Sequence, residues 1–185
     1  MTIAEKLRNT NRAEYLLYMW QVEDLIRAYH LDAERIAQEY VARFDLDKEH
    51  KSQTEQWYTD LCRMMAEEGK REKGHLQICQ NILTELDDLH NQLVNSPKFP
   101  YYREMYYKVL PYIVELRAKN GTVSDRPQET GELQTCFELL YGLMLLRLQG
   151  KPVAQDTEKA ARDVATLLGQ LSDYYFKNKQ EPIEF

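Results

Sequence analysis

Apolar residues recur along this chain at steps of three and four, the spacing that lays them on one face of a helix. Over 13–29 the positions Tyr15, Tyr18, Val22, Leu25 and Tyr29, with Met19 and Ile26 beside them, form one such stripe. Asn11, with Glu14 three residues on, is placed to cap that helix, and Thr2-Ile3-Ala4-Glu5 has the same spacing for a shorter helix before it. Asp32 can cap a helix over 33–44, and Asp45 or Asp47 the next, which carries Trp57, Leu61, Met64 and Met65. The polar stretch 67–74 contains Gly69 and Gly74. It predicts a turn rather than one long helix, because a glycine inside a helix costs about 1 kcal/mol.

From His75 the stripe resumes with Cys79, Ile82, Leu83, Leu86, Leu89 and Leu93, and Ser96-Pro97 ends it. A helix over 101–119 faces inward with Tyr102, Met105, Tyr106, Val109, Ile113 and Leu116. Pro111 falls on the opposite side, where a freed carbonyl can meet water. Asn120-Gly121 is a stop signal, a loop is expected over 122–127, and the helix over 128–148 is apolar nearly all round at 139–146, which predicts a central position. Gly150-Lys151-Pro152 separates it from a last helix with Val164, Leu167, Leu168, Leu171, Tyr174 and Tyr175 inward, and 180–185 reads as a loose tail. No strand-helix alternation, repeat or glycine-rich phosphate loop interrupts this pattern. The expected fold is all-α: a single-domain antiparallel helical bundle of six or seven helices over 1–185.

A chain of 185 residues can bury roughly 70% of its unfolded surface without staples. The formal net charge of −6 and the pI near 5.3 speak against a phosphate backbone or an anionic membrane as partner. The one basic run, Lys70-Arg71-Glu72-Lys73, follows Glu67-Glu68 and is neutralised locally. Three dispersed cysteines, Cys62, Cys79 and Cys136, do not make a disulfide framework and fit a reducing compartment. The first residues lack the apolar core of a signal peptide, and the longest apolar run, 139–146, is far short of the roughly 20 residues that span a bilayer. A cytoplasmic location follows as the expectation.

The string Ala13-Glu14-Tyr15-Leu16-Leu17-Tyr18-Met19-Trp20-Gln21-Val22-Glu23-Asp24, followed by Ile26-Arg27, resembles the opening signature of a domain-of-unknown-function family of short helical proteins from Bacteroides-type bacteria. Glu72-Lys73-Gly74-His75-Leu76-Gln77, Val114-Glu115-Leu116-Arg117-Ala118-Lys119 and Glu132-Leu133-Gln134-Thr135-Cys136-Phe137 are similar to the same family. The resemblance covers almost the whole chain. It implies a bacterial helical protein and supplies no catalytic residue.

Three groups of residues are candidates for chemistry. Trp20, Glu23, Asp24 and Arg27 lie together on the back of the signature helix, with Glu23 and Arg27 spaced for an i,i+4 ion pair. They read either as a binding face or polar pocket anchored by Trp20, or as a structural ion pair in a helix packed on both sides. Tyr102 and Tyr106, among 13 tyrosines, could line a pocket together with His75, against the plainer reading of core rings with hydroxyls at the rim. Glu72, His75 and Cys79 could project to one side of a continuous helix as metal ligands, and Asp47-x-x-His50 and Asp87-x-x-His90 carry carboxylate-histidine spacing. Gly74 interrupts the first set. His75 and His90 would lie about 22 Å apart along one helix, too far to share an ion. No metal or other cofactor is therefore expected.

No serine or cysteine nucleophile with its base can be read from helix spacing, so the chain leans away from an enzyme. The leading reading is a non-enzymatic interaction or assembly module, with a protein partner or self-association. The alternative is a helical bundle that binds a metal or a small ligand.

Overall fold

The computed structural model describes residues 3–121 and 131–185, with side chains for all of these except 120 and 121. Among them the regular structure is entirely helical. Eight α-helices follow in order: α1 Ile3–Thr10, α2 Arg12–Ala28, α3 Ala33–Arg35, α4 Lys48–Glu67, α5 Gln77–Asn95, α6 Pro100–Gly121, α7 Glu132–Leu148 and α8 Gln155–Gln180. That is one or two more than the periodicity predicts. Thr2, the expected loop 122–127 and the expected helical residues 128–130 lie outside the described residues. No helix among those described is long and apolar enough to cross a membrane. The chain gathers into two compact units, Met1–Ile82 and Leu83–Phe185, with the division inside α5.

In the first unit the predicted caps form. The Asn11 side chain accepts from Glu14 N–H, Asp32 from Arg35 N–H and Asp47 from His50 N–H. The Asp47-x-x-His50 spacing is thus a helix start. The helix expected over 33–44 departs from plan: after α3 the backbone widens into a π turn, Ile36–Tyr40, then tightens into a 3-10 turn, Val41–Arg43. Ile36 and Val41 are both fully buried. Five residues apart, they would point about 140° from each other on an α-helix. One extra residue in the turn brings them to the same side.

Helices α1 and α4 pack on α2. The most deeply buried line of α2 is Leu16, Met19, Glu23 and Ile26. Tyr18, Leu25 and Tyr29, which the apolar stripe places at the centre, are only half-buried. The helix therefore turns its Trp20–Glu23 side into the core. Between α4 and α5 the chain makes the turn that the two glycines predict, with Gly69 and Gly74 in the left-handed region at φ +67° and +85°.

The second unit packs α6, α7 and α8 against one another. Its core holds Leu86, Leu89 and Leu93 from α5, Tyr102, Val109 and Ile113 from α6, Leu133, Cys136 and Phe137 from α7, and Val164, Leu167, Leu168 and Leu171 from α8. Pro111 sits inside α6 on its exposed side, as its phase predicts. The tail folds back: Ile183 N–H donates to the Asn178 side chain, and the Phe185 ring tilts against Phe99.

One expectation is corrected here. Helix α7 is not central. Beyond Phe137 only Leu143 is buried, Leu139, Leu140, Met144 and Leu145 are half-covered, and Leu146 and Leu148 are exposed, Leu148 at 75%. The apolar stretch is wider than the surface that α6 and α8 offer it.

Candidate functional site

The residues around Glu23 form the most constrained polar arrangement in the first unit. Glu23 is 0% exposed. Its two oxygens are committed to the residues that open α5. His75 Nδ1–H donates to Oε2 at 2.6 Å and Leu76 N–H donates to Oε1 at 2.9 Å. A buried carboxylate is tolerated only with such charge-assisted bonds. The His75 ring stacks on Trp20, with centroids 4.1 Å apart and planes 12° from parallel. Trp20 is buried at 3% exposure, as two-sided packing of the helix predicts, and its cover comes from the same chain. Cys79 is buried beside Glu23, and its thiol is pushed up first by burial and then by the Glu23 charge. Such a thiol is unreactive.

Of the partners expected for Glu23, Arg27 or another cation nearby, His75 takes the place and Arg27 bonds elsewhere. Arg27 donates to the Lys70 carbonyl at 3.2 Å, to the Gly74 carbonyl and to Asp24 at 2.7 Å. Its guanidinium fork matches two carbonyls of the turn, which a buried carboxylate on its own helix does not require. Trp20, Glu23 and Arg27 thus clamp the segment 70–76 onto α2, with Asp24 holding the guanidinium at the exposed edge. The metal set is not assembled. Glu72 is exposed on the turn, His75 is turned onto Glu23, and no three His, Cys, Asp or Glu side chains among the described residues are placed to hold an ion.

Of the residues expected to line a pocket, His75 belongs to the first unit and Tyr102 and Tyr106 to the second. Tyr102 and Tyr106 gather around His90, in the second unit. His90 Nδ1 and the Tyr102 hydroxyl share a 2.7 Å hydrogen bond, and the Tyr106 ring meets His90 edge-on at 5.0 Å. The Tyr106 hydroxyl donates to Glu132 at 2.8 Å. Burial lowers the His90 pKa to about 4, partly opposed by the Glu132 charge. Burial raises the hydroxyls of Tyr102 and Tyr106, the latter also through its bond to Glu132. His90 is neutral at ordinary pH, and the cluster is a closed polar core.

A third feature was missed by reading each helix alone. An open groove of about 560 Å³ lies along α7, lined by Leu139, Gly142, Leu145 and Leu146 together with Glu138 and Lys151. The signal was present in the sequence, as the near-continuous apolar run of 139–146. Periodicity alone equates such a run with burial within the chain.

The model for the family described as Domain of unknown function (DUF4924) matches residues 1–182. The chain belongs to the DUF4924 family. No curated protein and no solved structure matches it. For this DUF4924 chain, the chemistry of the sites has to be argued from their own geometry.

Proposed function

We propose that the chain is a non-enzymatic assembly module that pairs with a second copy of itself through α7. The observation that carries this reading is the apolar face of α7 left open between α6 and α8. Monomeric proteins cover such a face or use it. A second copy is the occupant favoured by charge. Both Glu138, in the second turn of α7, and Lys151, just past its C-terminal end, line the groove. A two-fold contact with α7 antiparallel to its mate brings Glu138 of each copy toward Lys151 of the other, and an isologous patch is self-complementary in this way. Gly142, with open space where a side chain would stand, lets the two backbones approach closely.

Within each unit, consecutive helices are read as antiparallel neighbours, because short connections favour that arrangement. The free, buried cysteines fit a reducing compartment, and we place the protein in the cytoplasm.

The test is sedimentation equilibrium of the chain and of Leu146→Asp. The wild type is expected to form a dimer, and the variant to weaken it at least tenfold with an unchanged far-UV spectrum. The charge reversals Glu138→Lys and Lys151→Glu should each weaken the dimer and together restore it. A wild-type chain that stays monomeric at millimolar concentration refutes the reading.

A further inference from the structure

We propose that His75 is a phosphoryl-accepting histidine, taking the group on Nε2 from an acyl phosphate. The argument starts at Glu23. Its carboxylate holds a ring proton on Nδ1, so the tautomer this contact selects carries its lone pair on Nε2. Nε2 has no partner among the described residues and is not enclosed, and the His75 side chain is 32% exposed. Stacking on Trp20 covers one face of the ring and fixes its direction. A carboxylate on one imidazole nitrogen raises the electron density at the other, and a locked ring loses little freedom on reaction.

A cation lies over the residue before it. The half-buried Lys70 side chain lies over Gly74, its Nζ 3.6 Å from the place where a Gly74 Cβ would stand. The Lys70 ammonium has no carboxylate partner among the described residues. Gly74 immediately precedes His75, so this ammonium lies on the same turn as the ring and can meet phosphoryl oxygens there.

The step balances without an additional reagent. The Nε2 lone pair attacks phosphorus, the N–P bond forms, and the P–O bond to the acyl oxygen breaks. The acyl group leaves as a carboxylate with the bonding pair. No proton needs to move: the ring keeps Nδ1–H, and its new positive charge faces the buried Glu23 carboxylate at 2.6 Å. Charge that develops toward a preplaced counter-charge lowers the barrier.

The experiment incubates the full chain with acetyl phosphate, quenches in alkali, and maps phosphoryl groups by mass spectrometry. One acid-labile, alkali-stable group on His75 is expected. Lys70→Met, a change at a half-exposed position, should slow its formation at least fivefold with an unchanged far-UV spectrum. Glu23→Gln should slow it at least tenfold, provided its near-UV spectrum is native. Labelling of the exposed His30 and His50 as fast as His75, or no phosphohistidine in the folded chain, overturns the proposal.

Discussion

At the residue scale, the two interior polar clusters differ in how they handle charge. Glu23 is buried with donors from a histidine and a backbone amide, whereas His90 is buried among hydroxyls that suit its neutral form. The second case has a consequence for pH. The folded-state pKa of His90 is about 4, below its ordinary 6.5. Above pH 6.5 neither state binds the proton and the group contributes nothing. Between 6.5 and 4 the unfolded chain holds a proton that the folded chain refuses, so stability falls as pH falls. The total loss is roughly 3 kcal/mol, at about 1.4 kcal/mol per pH unit. Tyr102 and Tyr106 from α6 and Glu132 from α7 face the ring, and of these Glu132 carries the charge that keeps the His90 pKa from falling further. Asp87, raised by burial and by Asp88 and Glu132, takes up its proton first in the folded chain and works the other way at the acid end. Denaturant melts across this window should show the decline, and His90→Gln should flatten it. An equal slope in that variant would place the acid sensitivity elsewhere.

At the element scale, three helices end in the same way. At the ends of α2, α4 and α7, an amide two residues past the cap reaches back to a carbonyl five residues earlier: Leu31 to Ile26, Lys70 to Met65 and Lys151 to Leu146. This motif needs a left-handed residue just after the cap. Gly69 and Gly150 supply it in two cases, but α2 uses His30, at φ +55°. A side-chain-bearing residue there costs about 1–2 kcal/mol of backbone strain, and glycine returns part of that gain by loosening the unfolded chain. His30→Gly should therefore stabilise by about 0.5–1 kcal/mol. Gly150→Ala should destabilise by about 1 kcal/mol through the backbone alone, since nothing lies within 4 Å of its added Cβ. Equilibrium urea melts read both. A destabilising His30→Gly would mean that the histidine makes up for its strain in some other way.

At the scale of the whole molecule, α5 belongs to both compact units, because Gln77–Asn95 runs through the division at 82 and 83. Melting one unit alone would leave half a helix frayed, and short helices are marginal in water. One cooperative transition is expected, with calorimetric and van't Hoff enthalpies equal. Two resolved transitions would make the units independent domains.

Much of this was legible in the sequence because it is local. Helix class, the caps at Asn11, Asp32 and Asp47, the turn at Gly69 and Gly74, and the outward phase of Pro111 each depend on residues within a turn or two. Periodicity in polarity could not place Glu23 in the core, because a carboxylate counts as a surface residue until a partner 52 residues away accepts it. The same limit gave Arg27 to Glu23 rather than to the carbonyls of the turn. It also made α7 central, since apolar residues on all sides state a demand for cover without saying whether this chain meets it. Outside 33–44, the sequence by itself determined which of the described segments become helices, because those choices rest on short-range hydrogen bonds and side-chain spacing. Only the tertiary structure decided which polar groups are buried and which apolar face is left open, because both depend on what distant segments bring to the same place.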